Sequence, residues 1–135
     1  MDEHIILEKV CEGLNLNKEA VLSKSREANL VNARILYSIL SREFTKNNLI
    51  TISAGIGRHH SSVVHYTKIF DNYMQTDKHF RQYYKLCKTL IINYLINNNA
   101  KNFQTDMLQQ IDSQINKLLE IRKSFDKIKQ EAQNN

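Results

Sequence analysis

The sequence predicts an all-α fold, and three observations support this prediction. Proline is absent and glycine occurs only three times, so the chain lacks the turn formers that a sandwich or barrel of short strands needs about every 8–12 residues. Apolar residues recur at spacings of three and four, as on one face of a helix. The length of 135 residues fits one compact domain, with or without an appendage.

Three helices are predicted at the start of the chain. The first spans residues 3–12 and stops at Gly13, and the second spans residues 18–23 with Asn17 as its N-cap. The third, at residues 28–44, is the central core helix because its apolar stripe is wide. This stripe consists of Val31, Ile35, Leu36, Ile39, Leu40 and Phe44. The opposite side consists of Arg34, Ser38 and Arg42.

Two further helices form a helix-turn-helix candidate. A helix of about two turns from Leu49 to Ile56 is broken by Gly57, and a second helix follows at residues 59–74. Helical projection gives the second helix an apolar face of Val63, Tyr66, Phe70, Tyr73 and Met74. Its other face consists of Ser61, His65, Lys68 and Asn72. A short, polar and basic face of this kind can lie in a major groove of DNA.

The remaining residues predict two long helices. One spans residues 77–96, Asn97–Asn99 interrupt it, and the last spans residues 102–131. The last helix would be roughly 45 Å long, which is more than a small domain needs. We therefore expect it to pack outside the small core, either folded back as a brace or paired with a second copy of the chain as a homodimer.

These elements predict a division of the chain into three parts. Residues 1–96 form the helix-turn-helix domain, residues 97–101 are an Asn-rich connection, and residues 102–135 are an amphipathic helix that can serve oligomerisation. The chain carries a net charge of +5. Residues 18–88 alone carry +7, whereas residues 1–17 carry −3 and residues 101–135 carry +1. A nucleic-acid surface is therefore expected in this middle segment.

Composition and spacing argue against several other functions. The chain lacks the glycines of a phosphate-binding loop, and Gly55 and Gly57 are not followed by a third glycine at dinucleotide-binding spacing. Cys11 and Cys87 make no disulfide framework, and no apolar run is long enough to span a bilayer. We expect a cytoplasmic, nucleoid-associated protein that uses no cofactor, no nucleotide and no membrane, and that is not an enzyme.

Four segments resemble a known family: residues 23–26 (SKSR), 31–34 (VNAR), 49–52 (LITI) and 57–65 (GRHHSSVVH). They are similar to the carboxy-terminal DNA-binding domain of the bacterial replication initiator DnaA, over about residues 4–92. In that family a Gly-Arg-Asp-His-(Thr/Ser)-(Thr/Ser)-Val-x-His run opens the recognition helix. Eight of the nine positions agree here. The resemblance implies a six-helix, Trp-repressor-like domain that binds double-stranded DNA.

The resemblance also implies roles for individual side chains. Arg26 would enter the minor groove, and Lys24 and Arg34 would contact phosphates. Base edges and phosphates in the major groove would be met by Arg58, His60, Ser61 and Ser62. The candidate DNA-binding set is completed by His59, His65 and Lys68. Lys68 is equally compatible with a plain surface role.

Two departures from the family pattern affect this interpretation. His59 replaces the family's aspartate, and Gly57 stands where the family has a pair of glycines. Because neutral imidazole can donate or accept while aspartate only accepts, the preferred DNA sequence can differ. A zinc site is disfavoured because the spacings of His59, His60 and His65 do not bring two imidazoles together on one helix face.

The sequence leaves two functions open. The first is sequence-specific binding of double-stranded DNA in replication-initiation control or transcription regulation. The alternative is a protein-interaction or oligomerisation module that keeps the fold without reading DNA, with the terminal amphipathic helix as its working surface.

Overall fold

The computed structural model describes residues 1–134. These residues form six helices and no strand, so the prediction of an all-α chain is confirmed. The helices are α1 (Glu3–Leu14), α2 (Lys18–Leu22), α3 (Ala28–Phe44), α4 (Leu49–Ala54), α5 (His60–Thr76) and α6 (Lys78–Asn134). None of the helices in this described part combines the length and apolar character that crossing a membrane requires.

The first helix does not end where the sequence predicts. It continues through Gly13 to Leu14, and Asn15 ends it in the left-handed conformation with φ 54°. Gly13 has a packing role instead, because a Cβ there would lie 2.7 Å from the Sγ of Cys87 in α6. The capping bond predicted for Asn17 is also wrong: the side chain of Asn17 makes no hydrogen bond to the start of α2.

The central helix α3 has the predicted bounds and the expected core role. It packs against α1, α2, α4 and α5, and Ile35, Leu36 and Leu40 are completely buried. The predicted polar side is wrong for Arg34 and Ser38, which are also buried. The physical reason is that Arg34 finds its hydrogen-bond acceptors inside the molecule, as described below, so it needs no solvent.

The last helix is a single element in which Asn97–Asn99 are helical, so the predicted interruption is wrong. Asparagine costs at most about 0.7 kcal/mol per residue relative to alanine in a helix, and no proline or glycine stands nearby to stop it. Packing nevertheless divides the chain into two compact units, Met1–Tyr94 and the residues from Leu95 onward. The exact division predicted at residues 96 and 102 stays a prediction.

The core lies in the first unit, and α6 enters it through Phe80, Cys87 and Ile91. Cys11 and Cys87 are buried and free, as the sequence predicts for small apolar side chains. Burial raises the pKa of both thiols, that of Cys87 to about 12. These cysteines therefore serve packing and are poor nucleophiles.

Candidate nucleic-acid interface

A tight turn fixed by backbone hydrogen bonds connects α4 and α5. The N–H of Arg58 donates to the carbonyl oxygen of Ser53 (2.9 Å), and the N–H of Gly57 donates to that of Ala54 (3.1 Å). Gly57 has φ 62°, a left-handed conformation that glycine adopts without steric cost. Ile56, which is completely buried, anchors the turn in the core. The predicted helix-turn-helix pair is therefore present, and Gly57 has the predicted role.

A second glycine, Gly55, allows the end of α4 to pack closely against the central helix α3. A Cβ on Gly55 would clash with the Oη of Tyr37. The Tyr37 side chain is itself buried, and its hydroxyl donates to the carbonyl oxygen of Ile52 over 2.6 Å. Tyr37 thus binds the last turn of α4 through this hydrogen bond, and the absence of a side chain at Gly55 leaves room for the Tyr37 phenol group.

His59 is the N-cap of α5. Its Nδ1 accepts a hydrogen bond from the backbone N–H of Ser61 (3.2 Å) and lies 2.9 Å from the Ser61 hydroxyl. An acceptor Nδ1 is unprotonated, so the imidazole does here what a carboxylate or hydroxyl oxygen does in most N-caps. The neighbouring ring of His60 lies with its centroid 4.1 Å away. Both rings are exposed at the start of the helix.

The two predicted faces of α5 are confirmed. Val63 is completely buried, and the other members of the apolar face are partly buried. The polar face is exposed at every position: Ser61, His65, Lys68 and Asn72. These side chains extend along one side of the helix at spacings of three and four, so they can approach a flat or grooved partner together.

Arg34 lies inside the molecule, with only 2% of its surface exposed. Its guanidinium donates to three backbone carbonyl oxygens of the segment before α3. The bonds run from Nε to Val21 (2.8 Å), from Nη1 to Ser25 (2.7 Å) and from Nη2 to Ser23 (2.8 Å). Burial, and then the charge of Arg58, lower the pKa of Arg34 from its ordinary value. The DNA contact assigned to Arg34 stays a prediction; its internal role was not foreseen.

Arg58, in the turn, supports the same segment. It is partly buried, and its Nη2 also donates to the carbonyl oxygen of Ser23, while Nη1 donates to those of Leu22 (3.3 Å) and Ile56 (3.2 Å). The two guanidinium groups therefore fix the connection between α2 and α3, residues 23–27, onto the helix-turn-helix.

This connection carries the exposed side chains of Lys24 and Arg26. Between it and α5 lies an open groove of about 580 Å³, which we call the basic groove. Its lining consists of Lys24, Arg26, Val31, Arg34, Gly57, Arg58, Ser62, His65 and Tyr66. Four lining side chains are cationic and none is a carboxylate, so the groove suits an anionic ligand.

The structure thus brings six of the ten predicted contact residues to the basic groove. His59 and His60 border an adjoining notch of about 210 Å³, which Arg58 also lines. Ser61 and Lys68 lie on the exposed face of α5.

Sequence reasoning missed Tyr66 as a groove residue, because its spacing placed it with the core. It also missed Ile50, which is 69% exposed beside the notch. The sequence did contain a signal for Ile50: it does not fit the helical spacing of the apolar residues Leu49, Ile52 and Ile56, so it belongs to another face of that helix.

None of the predicted contact residues is neutralised by an ion pair within the described residues. The ion pairs among them are His4–Glu3, Lys9–Glu12 and Lys88–Glu43. The positive charge of the basic groove is therefore available to a ligand. The excess of basic residues that the sequence shows in residues 18–88 thus contributes to one groove on the surface.

Comparison with known proteins identifies this architecture. Residues 4–69 match the family described as the bacterial DnaA protein helix-turn-helix. This segment is a DnaA-type helix-turn-helix domain. The match covers α1 to α5 up to Ile69, so it includes both arginines that hold the connection and the residues that line the basic groove.

The relatives that match are chromosomal replication initiator proteins DnaA. That of Flavobacterium psychrophilum is 36% identical over 75 residues, which is 55% of this chain and 16% of the relative. That of Nautilia profundicola is 36% identical over 77 residues, 56% of this chain and 18% of the relative. That of Aliarcobacter butzleri is 32% identical over 89 residues, 65% of this chain and 20% of the relative. The DnaA-type domain thus spans at most about a fifth of these relatives.

Proposed function

We propose that residues 1–94 bind double-stranded DNA, with α5 in the major groove and the connection at residues 23–27 along the adjacent backbone and minor groove. The observation that carries this proposal is the basic groove, where cationic side chains from the connection, α3 and the turn converge without a carboxylate. DNA presents one negative charge per about 1.7 Å of helix axis, so a cationic groove beside an exposed helix suits it.

Within this proposal, exposure separates contact residues from supporting ones. Lys24 and Arg26 are exposed, so they are the side chains that reach phosphates and the minor groove. Each guanidinium nitrogen of Arg34 donates to a carbonyl oxygen and the side chain is buried, so it acts mainly as a positioning residue for the connection. Arg58 lines the groove and supports the connection as well, so it combines both functions.

The base-reading part of the proposal rests on the start of α5. His60, Ser61 and Ser62 follow the N-cap, and His65 and Lys68 continue along the helix. Short hydroxyls and imidazoles can hydrogen-bond base edges without steric conflict, which supports sequence-specific binding. His59 stands where the family has an aspartate, and an imidazole can donate as well as accept hydrogen bonds. The DNA sequence that this chain prefers can therefore differ from that of the family.

A binding titration tests the proposal. Fluorescence anisotropy on a mixed-sequence duplex at several salt concentrations should give a log Kd that rises steeply with log salt, since each phosphate contact contributes about 0.9 to the slope. Arg26→Gln should weaken binding several-fold and reduce the slope by about one. Arg42→Gln is the matched control, because Arg42 is an exposed cation of α3 outside the groove lining. Absent binding by the folded protein, or equal losses in both variants, would overturn the proposal.

Specificity has its own test. Selection from a random duplex library should enrich one motif for the native chain, and His60→Ala with Ser62→Ala should flatten that enrichment.

Since the matching relatives are named chromosomal replication initiators, we place the DNA-binding role in replication-initiation control, with transcription regulation as the second setting, and with a nucleoid-associated location in the cytoplasm.

We infer further that residues 102–133 join two copies of the chain into a homodimer. These residues are helical, and every one of their side chains is exposed. The exposed large apolar side chains are Phe103, Met107, Leu108, Ile111, Ile115, Leu118, Leu119, Ile121, Phe125 and Ile128. A continuous apolar stripe of this kind typically marks an interaction surface. A dimer would offer two DNA-binding units in one molecule and so increase avidity.

A further inference from the structure

The apolar stripe of α6 follows a heptad pattern. Leu108, Ile115 and Arg122 recur every seven residues, and Ile111, Leu118 and Phe125 recur three residues after each of them. These two series are the core positions of a two-helix seam. The positions on the far side of the helix are polar: Asn102, Asp106, Gln109, Ser113, Asn116, Glu120, Lys123 and Lys127.

The charge inside the seam distinguishes the two possible directions of pairing. In a parallel pair each core residue faces its own copy, so Arg122 would face Arg122 across a largely apolar seam. In an antiparallel pair the first series faces the second. A single register then places Leu108 opposite Phe125, Ile115 opposite Leu118, and Arg122 opposite Ile111. The antiparallel arrangement therefore removes the like-charge contact.

Neighbouring acids make the antiparallel arrangement favourable as well as tolerable. Asp112 follows Ile111, so in that register it lies beside Arg122 of the other copy. The distribution of charge along the helix agrees. Residues 102–116 hold two acids and no base, whereas residues 117–134 hold five bases and three acids. Antiparallel pairing brings the acidic half of one copy against the basic half of the other, while parallel pairing opposes like halves.

We propose that residues 105–128 pair antiparallel with the same residues of a second copy, with Arg122 of each copy beside Asp112 of the other. This inference deepens the homodimer inferred above and rests on it. It does not depend on DNA binding, because the seam uses none of the groove residues. The symmetry of such a pair makes both Arg122–Asp112 contacts equivalent.

A charge swap measured by sedimentation equilibrium, with the full chain and without DNA, tests the arrangement. The native protein should sediment as a dimer. Arg122→Glu and Asp112→Lys should each raise the dimer Kd about tenfold at low salt, because each places two like-charge contacts in the dimer. The double variant R122E/D112K should return the Kd close to its native value. All substituted side chains are exposed, and circular dichroism checks that the helices persist.

Lys123→Glu is the matched control. It makes the same charge change one residue further along, on the far side of the helix, and should alter the Kd less than about twofold. A native protein that stays monomeric at high concentration would overturn the homodimer itself. A dimer that the single substitutions do not weaken, or that the double variant does not restore, would overturn the antiparallel arrangement alone. Neither result bears on the DNA titration.

Discussion

Arg34 and Arg58 donate hydrogen bonds to the same acceptor, the backbone carbonyl oxygen of Ser23. Two like charges are thus held near each other by one backbone group, with no carboxylate among the groove residues around them. The result is a connection at residues 23–27 whose backbone is held by two buried or partly buried guanidinium groups, so that its exposed cations Lys24 and Arg26 have a defined position.

Replacing Arg34 by methionine should lower the free energy of unfolding by about 2–4 kcal/mol, because three carbonyl oxygens lose a buried donor. Urea denaturation measures the loss. Arg42→Met on the exposed side of the same helix is the control, and its effect should stay within about 0.5 kcal/mol. Equal losses in the two variants would show that the carbonyl contacts contribute little.

The contact between Gly55 and Tyr37 predicts a coupled pair of substitutions. Gly55→Ala should cost about 1–3 kcal/mol because its new methyl group meets the Tyr37 hydroxyl. The same substitution should cost less in a Tyr37→Phe background, where that hydroxyl is absent. Thermal or urea unfolding of the double-mutant cycle measures the coupling. Gly57→Ala, which meets no atom within 4 Å, should cost about 1 kcal/mol through its positive φ alone in both backgrounds.

The N-cap of α5 predicts a gain of stability. His59→Asp should raise the free energy of unfolding at neutral pH by about 0.5–1 kcal/mol, since a carboxylate accepts more strongly from the Ser61 N–H and interacts favourably with the helix dipole. His59→Asn separates capping from charge, because it keeps an acceptor without the negative charge. A loss of stability in both variants would mean that the imidazole contributes in another way, such as through its contact with the His60 ring.

Alkaline pH should destabilise the first unit through Cys87. Its folded-state pKa is raised to about 12, from an ordinary value of 9.0, by burial and by its neighbour Cys11. Between these values the unfolded chain releases the proton and the folded chain keeps it. The contribution of the protonated Cys87 thiol to the free energy of unfolding is therefore fully present below about pH 9. Above that pH the free energy of unfolding declines by about 1.4 kcal/mol per pH unit.

Urea denaturation between pH 8 and 11 measures this slope, and Cys87→Ala should reduce it. Part of the slope remains in this variant, because burial also raises the pKa of Cys11 and, above about pH 10, the pKa values of Tyr37 and Tyr84. Parallel slopes for the native protein and the variant would contradict this account.

Local pattern was enough to predict the helix pair around Gly57, the bounds of α3 and the exposed face of α5, because periodicity and a glycine in a turn act within a few residues. It did not predict the burial of Arg34, whose acceptors lie 9–13 residues earlier in the chain and are brought close only by folding. The role of Gly13 was missed for the same reason, since its partner Cys87 is remote in sequence. Asn97–Asn99 were overestimated as a break because a weak helix preference was treated as a stop signal.

The anchored connection at residues 23–27 has a thermodynamic consequence for any ligand of the basic groove. Its backbone loses its freedom during folding, so association does not have to order it a second time. The connection therefore works as a rigid template, favouring partners whose charges already have the right separation and discriminating against flexible polyanions of the same charge density.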